Sequence, residues 1–144
     1  MSGEIDGSKH ALGAAHAELM GVEFDSFDRE REEITLRFRA PASFITPRGS
    51  VQGGLVAGFL DEVMGWAHVW ATDHEEAPLN LDLTMTILRP VPAGPLVGKG
   101  RVIKRGRKAI YLEGELFDAE GKLLARSTST AIPTPRPVAA PTEG

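Results

Sequence analysis

The 144-residue sequence contains no cysteine. Disulfides, a thiol nucleophile and thiolate-bound metals are therefore all excluded. Positive charge is in deficit, with 16 Lys and Arg against 20 Asp and Glu and a net charge of −4. That balance argues against nucleic acid as a partner, because phosphate binding needs a basic footprint. No apolar run approaches the roughly 18 residues of a membrane-spanning helix. The N-terminus, Met-Ser-Gly-Glu-Ile-Asp, is too polar and acidic for a secretory signal, so a cytoplasmic protein is expected. The histidines stand at 10, 16, 68 and 74. His10 and His16 miss the i, i+4 spacing of a helical metal pair, and no metal site is expected. Neither an internal repeat nor a domain boundary is visible.

What remains is a 42% apolar, 25% charged composition, ordinary for one globular domain with a real core. Its one long apolar stretch begins Gln52-Gly53-Gly54-Leu55-Val56-Ala57-Gly58-Phe59-Leu60-Asp61-Glu62 and runs to about Thr72 as a helix. Everything else reads as what wraps it. Residues 1–8 lack periodicity and read as a flexible N-terminus. A short amphipathic helix over Lys9–Met20 follows, with Leu12, Ala15, Leu19 and Met20 on one face and Gly21 as its stop. Val22–Phe27 and the alternating Ile34, Leu36 and Phe38 predict a hairpin. Residues 41–50 form a loop leading to the long helix.

After the helix, Leu79, Leu81, Leu83, Met85 and Ile87 alternate with polar residues over one long predicted strand. Strands over about 96–104, 108–118 and 122–132 follow with tight turns between them, predicting a four-strand antiparallel meander. The segment 133–144, with prolines at 133, 135, 137 and 141, reads as an extended tail. A single apolar helix needs a sheet curled around it, so an α+β fold is predicted over 9–132.

On a helical wheel the apolar residues, including Trp66 and Trp70, fill one broad half. Asp61 falls opposite, on a stripe of small residues with Gly58 three before it and Gly65 four after it. Glycine inside a helix costs about 1 kcal/mol against alanine, which suggests a close approach near this carboxylate. An exposed acid beside packing glycines is the plain alternative. Glu62 borders the apolar half and reads as an ion-pair or interface residue. At the helix start the first amides lack intrahelical acceptors, and the helix dipole adds partial positive charge there.

Gln52-Gly53-Gly54 with an aspartate eight residues after Gly53, followed by Leu81-Asp82-Leu83-Thr84-Met85-Thr86-Ile87-Leu88-Arg89-Pro90 and Gly94, resembles the PaaI-type acyl-CoA thioesterases of the hotdog fold. The resemblance spans about 19–132. It implies a curved antiparallel sheet wrapped around one long central helix, an acyl-CoA substrate, and no cofactor beyond the coenzyme A of that substrate. Homodimers, often paired into homotetramers, with active sites at the subunit interface are also implied. Gln52 stands where the family usually has histidine, and Thr46 where relatives often have asparagine. Gln52 is still a candidate catalytic residue, because its amide donates a hydrogen bond, but it cannot titrate.

Given that resemblance, Gly53 is the expected oxyanion donor: its N–H would polarise a thioester carbonyl, and Gly54 leaves the backbone open to substrate. Asp61 is the expected nucleophile or general base. The two lie about 12 Å apart along one helix at 1.5 Å per residue. One carbonyl cannot touch both in a single chain, so an isologous dimer with antiparallel helices is required if both act. Asn80 stands where relatives often carry serine and is a candidate for positioning water or substrate, as are Thr46 and Gly65. Arg89, Arg105 and Arg107 are candidates for the phosphates of coenzyme A. Two rivals remain: a non-catalytic acyl-CoA-binding hotdog module, and an enoyl-CoA hydratase or dehydratase, which would need a histidine beside the acid.

Overall fold

A computed structural model of the chain describes residues 14–136. In order it contains helix α1 (Ala15–Met20), strands β1 (Glu23–Asp28) and β2 (Glu33–Ala40), a short 3-10 turn (Ala42–Phe44) and helix α2 (Gly53–Ala71). Strands β3 (Glu76–Asn80), β4 (Thr84–Ile87), β5 (Gly94–Arg105), β6 (Ile110–Asp118) and β7 (Leu123–Pro135) follow. The part of the predicted first helix over 9–13 lies outside the described residues, as do 1–8 and 137–144.

Helix α1 ends as its sequence suggests. Gly21 adopts φ 64° and ψ 37°, and its N–H donates back to the carbonyls of Ala17 and Glu18. Its buried face is the predicted one only in part: Met20 is buried as expected, but Ala17 is buried while Ala15 is exposed and Leu19 is 57% exposed. A helix of six residues presents less than two turns to the core, so three-residue spacing selects the contact face.

The strands form one antiparallel sheet ordered β1-β2-β5-β6-β7-β3, with β4 also paired to β7. The hairpin β1–β2 is as predicted. The four-strand meander is not. Only β5, β6 and β7 run as successive neighbours; β2 takes the other edge of β5, in register from Glu33 opposite Arg101 to Ala40 opposite Gly94.

The long strand predicted over Leu79–Leu88 is broken into β3 and β4, which pair with opposite halves of β7. Asp82 makes the break. Its carboxylate accepts the Thr130 N–H at 2.8 Å, and its carbonyl accepts the Ser129 hydroxyl at 2.8 Å. A side chain thus replaces one rung of the backbone ladder. Strand β7 also runs to Pro135, past the Ile132 at which the sequence places the end of the sheet. Pro78 and Pro133 face each other across β3 and β7.

The sheet's inner face meets α2 through Ile34, Leu36, Phe38, Leu96, Ile110, Leu112 and Leu116, all nearly inaccessible. Val56, Phe59, Leu60, Val63, Met64 and Ala67 supply the helix side, and Phe38 and Phe59 meet edge-on at 4.9 Å. At the centre, side chains are omitted altogether. Gly100 lies opposite Gly114, and Gly114 opposite Ser127, making a row of small residues across β5, β6 and β7. A Cβ on Gly100 would sit 2.2 Å from the Val63 carbonyl oxygen, and one on Gly114 would sit 3.0 Å from Met64 Cγ. Helix backbone and sheet backbone are therefore in direct contact.

The expected outcome of Gly100→Ala is loss of about 1–3 kcal/mol or more, since both crowding partners are backbone and neither can turn aside. Urea unfolding midpoints measure it. Gly114→Ala meets only side chains and is expected to cost less; equal stability of Gly100→Ala and wild type would contradict the contact.

Candidate functional site

The start of α2 is held from three sides. Val51 N–H donates to Val91 O at 2.8 Å, and Gln52 N–H donates to Phe44 O at 3.0 Å. The Gln52 side chain folds back over the first turn, where its Oε1 accepts the Leu55 N–H at 3.0 Å. This is an N-cap interaction. Gly54 makes room for it: a Cβ there would lie 2.9 Å from Gln52 Oε1. Among the described residues neither the Gly53 nor the Gly54 N–H meets an acceptor. Gly53 is approached by Ile87 of β4, whose Cδ1 lies 3.8 Å from the Cβ position.

Thr46 is occupied with its own loop. Its N–H donates to Ser50 O, its carbonyl accepts from Gly49, and its hydroxyl oxygen accepts the Arg48 N–H at 3.2 Å. It shapes the approach to the helix rather than pointing a free group at it.

Two turns along α2, the Asp61 carboxylate is exposed, and Asn80 of β3 donates to its Oδ1 through its side-chain amide. The structure thus brings Asn80 to the carboxylate, 19 residues away in sequence. The flanking glycines separate in role. Gly58 accommodates Met20 of α1, whose Cε would lie 3.0 Å from a Cβ there, so helix packing explains it. Gly65 has only Pro78 nearby, at 4.0 Å, and opens the wall of a cleft. That cleft has a volume of about 470 Å³ and is lined by His16, Asp61, Glu62, Trp66, Asn80 and Arg136, among others. Within it, Glu62 accepts from Trp66 Nε1 at 2.8 Å and from His16 Nε2 at 3.1 Å. Arg136 lies over the Trp66 ring, 5.6 Å from its centroid.

On a helical wheel His68 falls on the Asp61 face, about 10 Å further along the axis and too far for a dyad, and the fold keeps the two apart. His68 is fully buried beneath β3, with Nε2 3.0 Å from Glu76 Oε1 and Nδ1 without a partner among the described residues. Desolvation holds its pKa below 6.5, partly offset by the hydrogen bond and charge of Glu76. Neither His68 nor Glu76 lines the Asp61 cleft.

The candidate cations lie at opposite ends of α2. Arg105 is engaged by Glu32 through both Nη atoms, at 2.6 and 2.9 Å, and that bond raises its pKa. With Arg107 it borders a cleft of about 740 Å³ beside Thr72 and Asp73, past the helix C-terminus. Arg89 spends one Nη on Leu123 O at 2.8 Å. It shares a cleft of about 320 Å³ with Lys122, Gly49 and Val91, beside the helix start. Lys99 and Arg101 are ordinary sheet-surface cations opposite Glu115 and Glu113. Among the described residues no three His, Asp or Glu side chains converge as a metal would need, and no helix is long and apolar enough to cross a membrane.

The sequence reading missed Lys122 and the His16–Glu62 contact. Glu62 and Trp66 are four apart on one helix, so that bond was legible. His16 is 46 residues from Glu62 and nothing local announces it.

A linkage prediction follows from His68. Its folded-state pKa is lowered, so the unfolded chain binds the proton more readily. Stability is full above about pH 6.5 and falls as pH drops toward the folded-state value. His68→Gln, which keeps a donor toward Glu76, is expected to flatten this slope. Thermal unfolding of both proteins from about pH 8 down to 5 checks it, using the difference between the two.

Comparison with known proteins places this geometry. Residues 48–125 match the family model described as the thioesterase superfamily. An inferred esterase from Saccharolobus solfataricus is 32% identical over 109 residues, covering 76% of this chain and 76% of that protein. The crystal structure of a phenylacetic acid degradation-related protein from Ralstonia eutropha JMP134 is 31% identical, with a TM-score of 0.79 over 87% of this chain and 97% of that one. A Streptococcus mutans UA159 protein solved with acetyl CoA shares the fold at 16% identity, with a TM-score of 0.70 over 81% and 91% of the two chains. The curled antiparallel sheet around one helix is the hotdog fold, as the sequence resemblance implies.

Proposed function

The chain belongs to the thioesterase superfamily, and from that premise we propose that it hydrolyses acyl-CoA thioesters at sites shared between two copies. The observation that carries this is the separation of two half-sites on one helix. Unpaired amides stand at Gly53, and the Asp61 carboxylate stands eight residues further, about 12 Å along the axis. Antiparallel α2 helices from two copies would set Asp61 of one against Gly53 of the other.

The free edge of the sheet supports that pairing. β3 ends the strand order, and Leu79, Leu81, Ile87 and Leu88 of this edge region are large, apolar and exposed. Such an edge is a liability for a lone chain and a template for a second one. Ile87 Cδ1 also lies 3.8 Å from where a Gly53 Cβ would stand, so an interface there would border the amides.

In the proposed reaction the thioester oxygen accepts the Gly53 N–H, strengthened by the helix dipole as charge builds on oxygen. Asp61 takes a proton from water as that water attacks the carbonyl carbon. Asn80 holds one carboxylate oxygen, leaving the other for the water. The tetrahedral intermediate then collapses and the C–S bond breaks. Arg89 with Lys122, beside the helix start, is the better-placed pair for coenzyme A phosphates, because Arg105 is already committed to Glu32. The acetyl CoA held by the Streptococcus mutans protein supports this ligand class. Gln52 contributes by capping the helix that carries the donor.

The test is complementation. Asp61→Asn is expected to lower kcat by about 10²–10⁴-fold. Gly53→Pro removes the N–H and puts a ring carbon in its place with little backbone strain, since proline suits the first helical position, and Gln52, at φ −60° and ψ 138°, already has the conformation required before proline. It is expected to lower kcat by about 10²–10³-fold. Co-expressed, the two variants are expected to recover turnover that neither has alone. Recovery failing while both fold would exclude the shared site; acyl-CoA binding by the wild type without hydrolysis would instead make it a binding module.

A further inference from the structure

We infer that His16, held by Glu62, relays the proton for hydrolysis at the Asp61 site, supplying the titratable imidazole that position 52 lacks. The inference rests on the thioesterase reading of that site and adds a residue to it. Its basis is placement. His16 projects from α1 into the same cleft of about 470 Å³ that holds Asp61 and Asn80. Its Nε2 lies 3.1 Å from Glu62 Oε1. A carboxylate oxygen accepts, so Nε2 carries the hydrogen, and in the neutral ring Nδ1 presents its lone pair. Nδ1 has no partner among the described residues.

Glu62 is a fixed support. Its side chain is only 11% exposed, and its other oxygen is held by Trp66 Nε1 at 2.8 Å. A carboxylate locked at both oxygens orients an imidazole, as in other carboxylate–histidine pairs. His16 itself is 64% exposed, so it spans cleft and solvent, which is what a proton carrier requires. The charged and titratable groups facing it are Glu62 and Asp61 from α2 and Arg136 beyond β7. Arg136 is drawn over Trp66.

The proton balance closes. Water oxygen bonds to the thioester carbon while one water hydrogen passes to Asp61. The carbonyl pair becomes the oxyanion on Gly53. When the C–S bond breaks, the oxyanion pair re-forms the carbonyl, and sulfur leaves with the bonding electrons. The proton on Asp61 passes to His16 Nδ1 across the cleft. From the imidazolium it goes to the departing thiolate, directly or through solvent. Products are the carboxylic acid and the thiol, with Asp61 again ionised and His16 neutral.

The experiment compares wild type, His16→Gln, His16→Ala and Asp61→Asn on a panel of acyl-CoAs, across pH and with added imidazole. His16→Gln keeps a donor for Glu62 but cannot titrate. The expected result is a kcat lowered roughly 10- to 100-fold at nearly unchanged KM. The kcat–pH profile loses one ionisation present in the wild type, and imidazole restores turnover to His16→Ala. An unaltered kcat and profile in His16→Gln, with Asp61→Asn inactive, overturns the relay and leaves the thioesterase reading standing. A raised KM at constant kcat also overturns it, making His16 an acyl-group contact. Absence of turnover in the wild type overturns both.

Discussion

The contact between the Val63 carbonyl and Gly100 is the constraint on which the rest depends. A helix normally stands off a sheet by the thickness of two side-chain layers. Here the row Gly100, Gly114 and Ser127 removes one layer at the centre, so α2 sinks onto the strands. The larger residues on either side, Phe38 and Leu36 toward one edge and Leu112 and Leu116 toward the other end, then close around it. The same contact fixes which way the helix faces. Val56, Leu60, Val63 and Met64 are committed to the sheet, so Asp61 and Gly65 must turn toward the cleft.

A helix fixed so firmly cannot bring its own two half-sites together. The start of α2 is bolted by Phe44, Val91 and the Gln52 cap, and its middle by the sheet. No hinge lies between Gly53 and Asp61, because the backbone is helical throughout. The separation of Gly53 from Asp61 and the exposed apolar edge lie on one chain and meet in the proposed shared site. β3 and β4 are short, interrupted at Asp82 and marked by Pro78, features that discourage indiscriminate strand addition. Leu79 and Leu81 nonetheless face outward on that same edge.

Elements whose signal is local were legible in the sequence. Helix α2, the Gly21 stop and the β1–β2 hairpin each rest on neighbours within a few residues. Residues that pair at a distance were not. Asp82 ends a strand because of Thr130, and no pattern in Leu79–Leu88 announces that. The glycines of β5 and β6 read as weak points in strands, yet they form the seat of the helix once the strands are in register. Gly58 and Gly65 looked alike on the wheel; only the position of Met20 distinguishes a packing glycine from an open one. The site showed the same division. Gly53 and Asp61 are candidates that one helix suggests, whereas the neighbours His16 of Asp61 and Lys122 of Arg89 come into view only with the fold.

The departure at position 52 takes on a different meaning in this light. What the helix start needs from residue 52 is an acceptor for the Leu55 N–H, and a glutamine oxygen supplies it at 3.0 Å. Gly54 is matched to that side chain, since its missing Cβ is what lets the amide lie flat over the turn. Structure at this position therefore survives the loss of an imidazole, and only titration is lost. Titration does not have to be supplied from the helix start. In the proposed reaction the proton leaves water at Asp61, about 12 Å away along the axis of the same chain, and a group serving it would have to border that cleft. α1 docks on Gly58, one turn before Asp61, through Met20, and this packing carries His16 to the cleft. The small residue that reads as a gap beside the carboxylate is thus the seat of the helix that brings the imidazole.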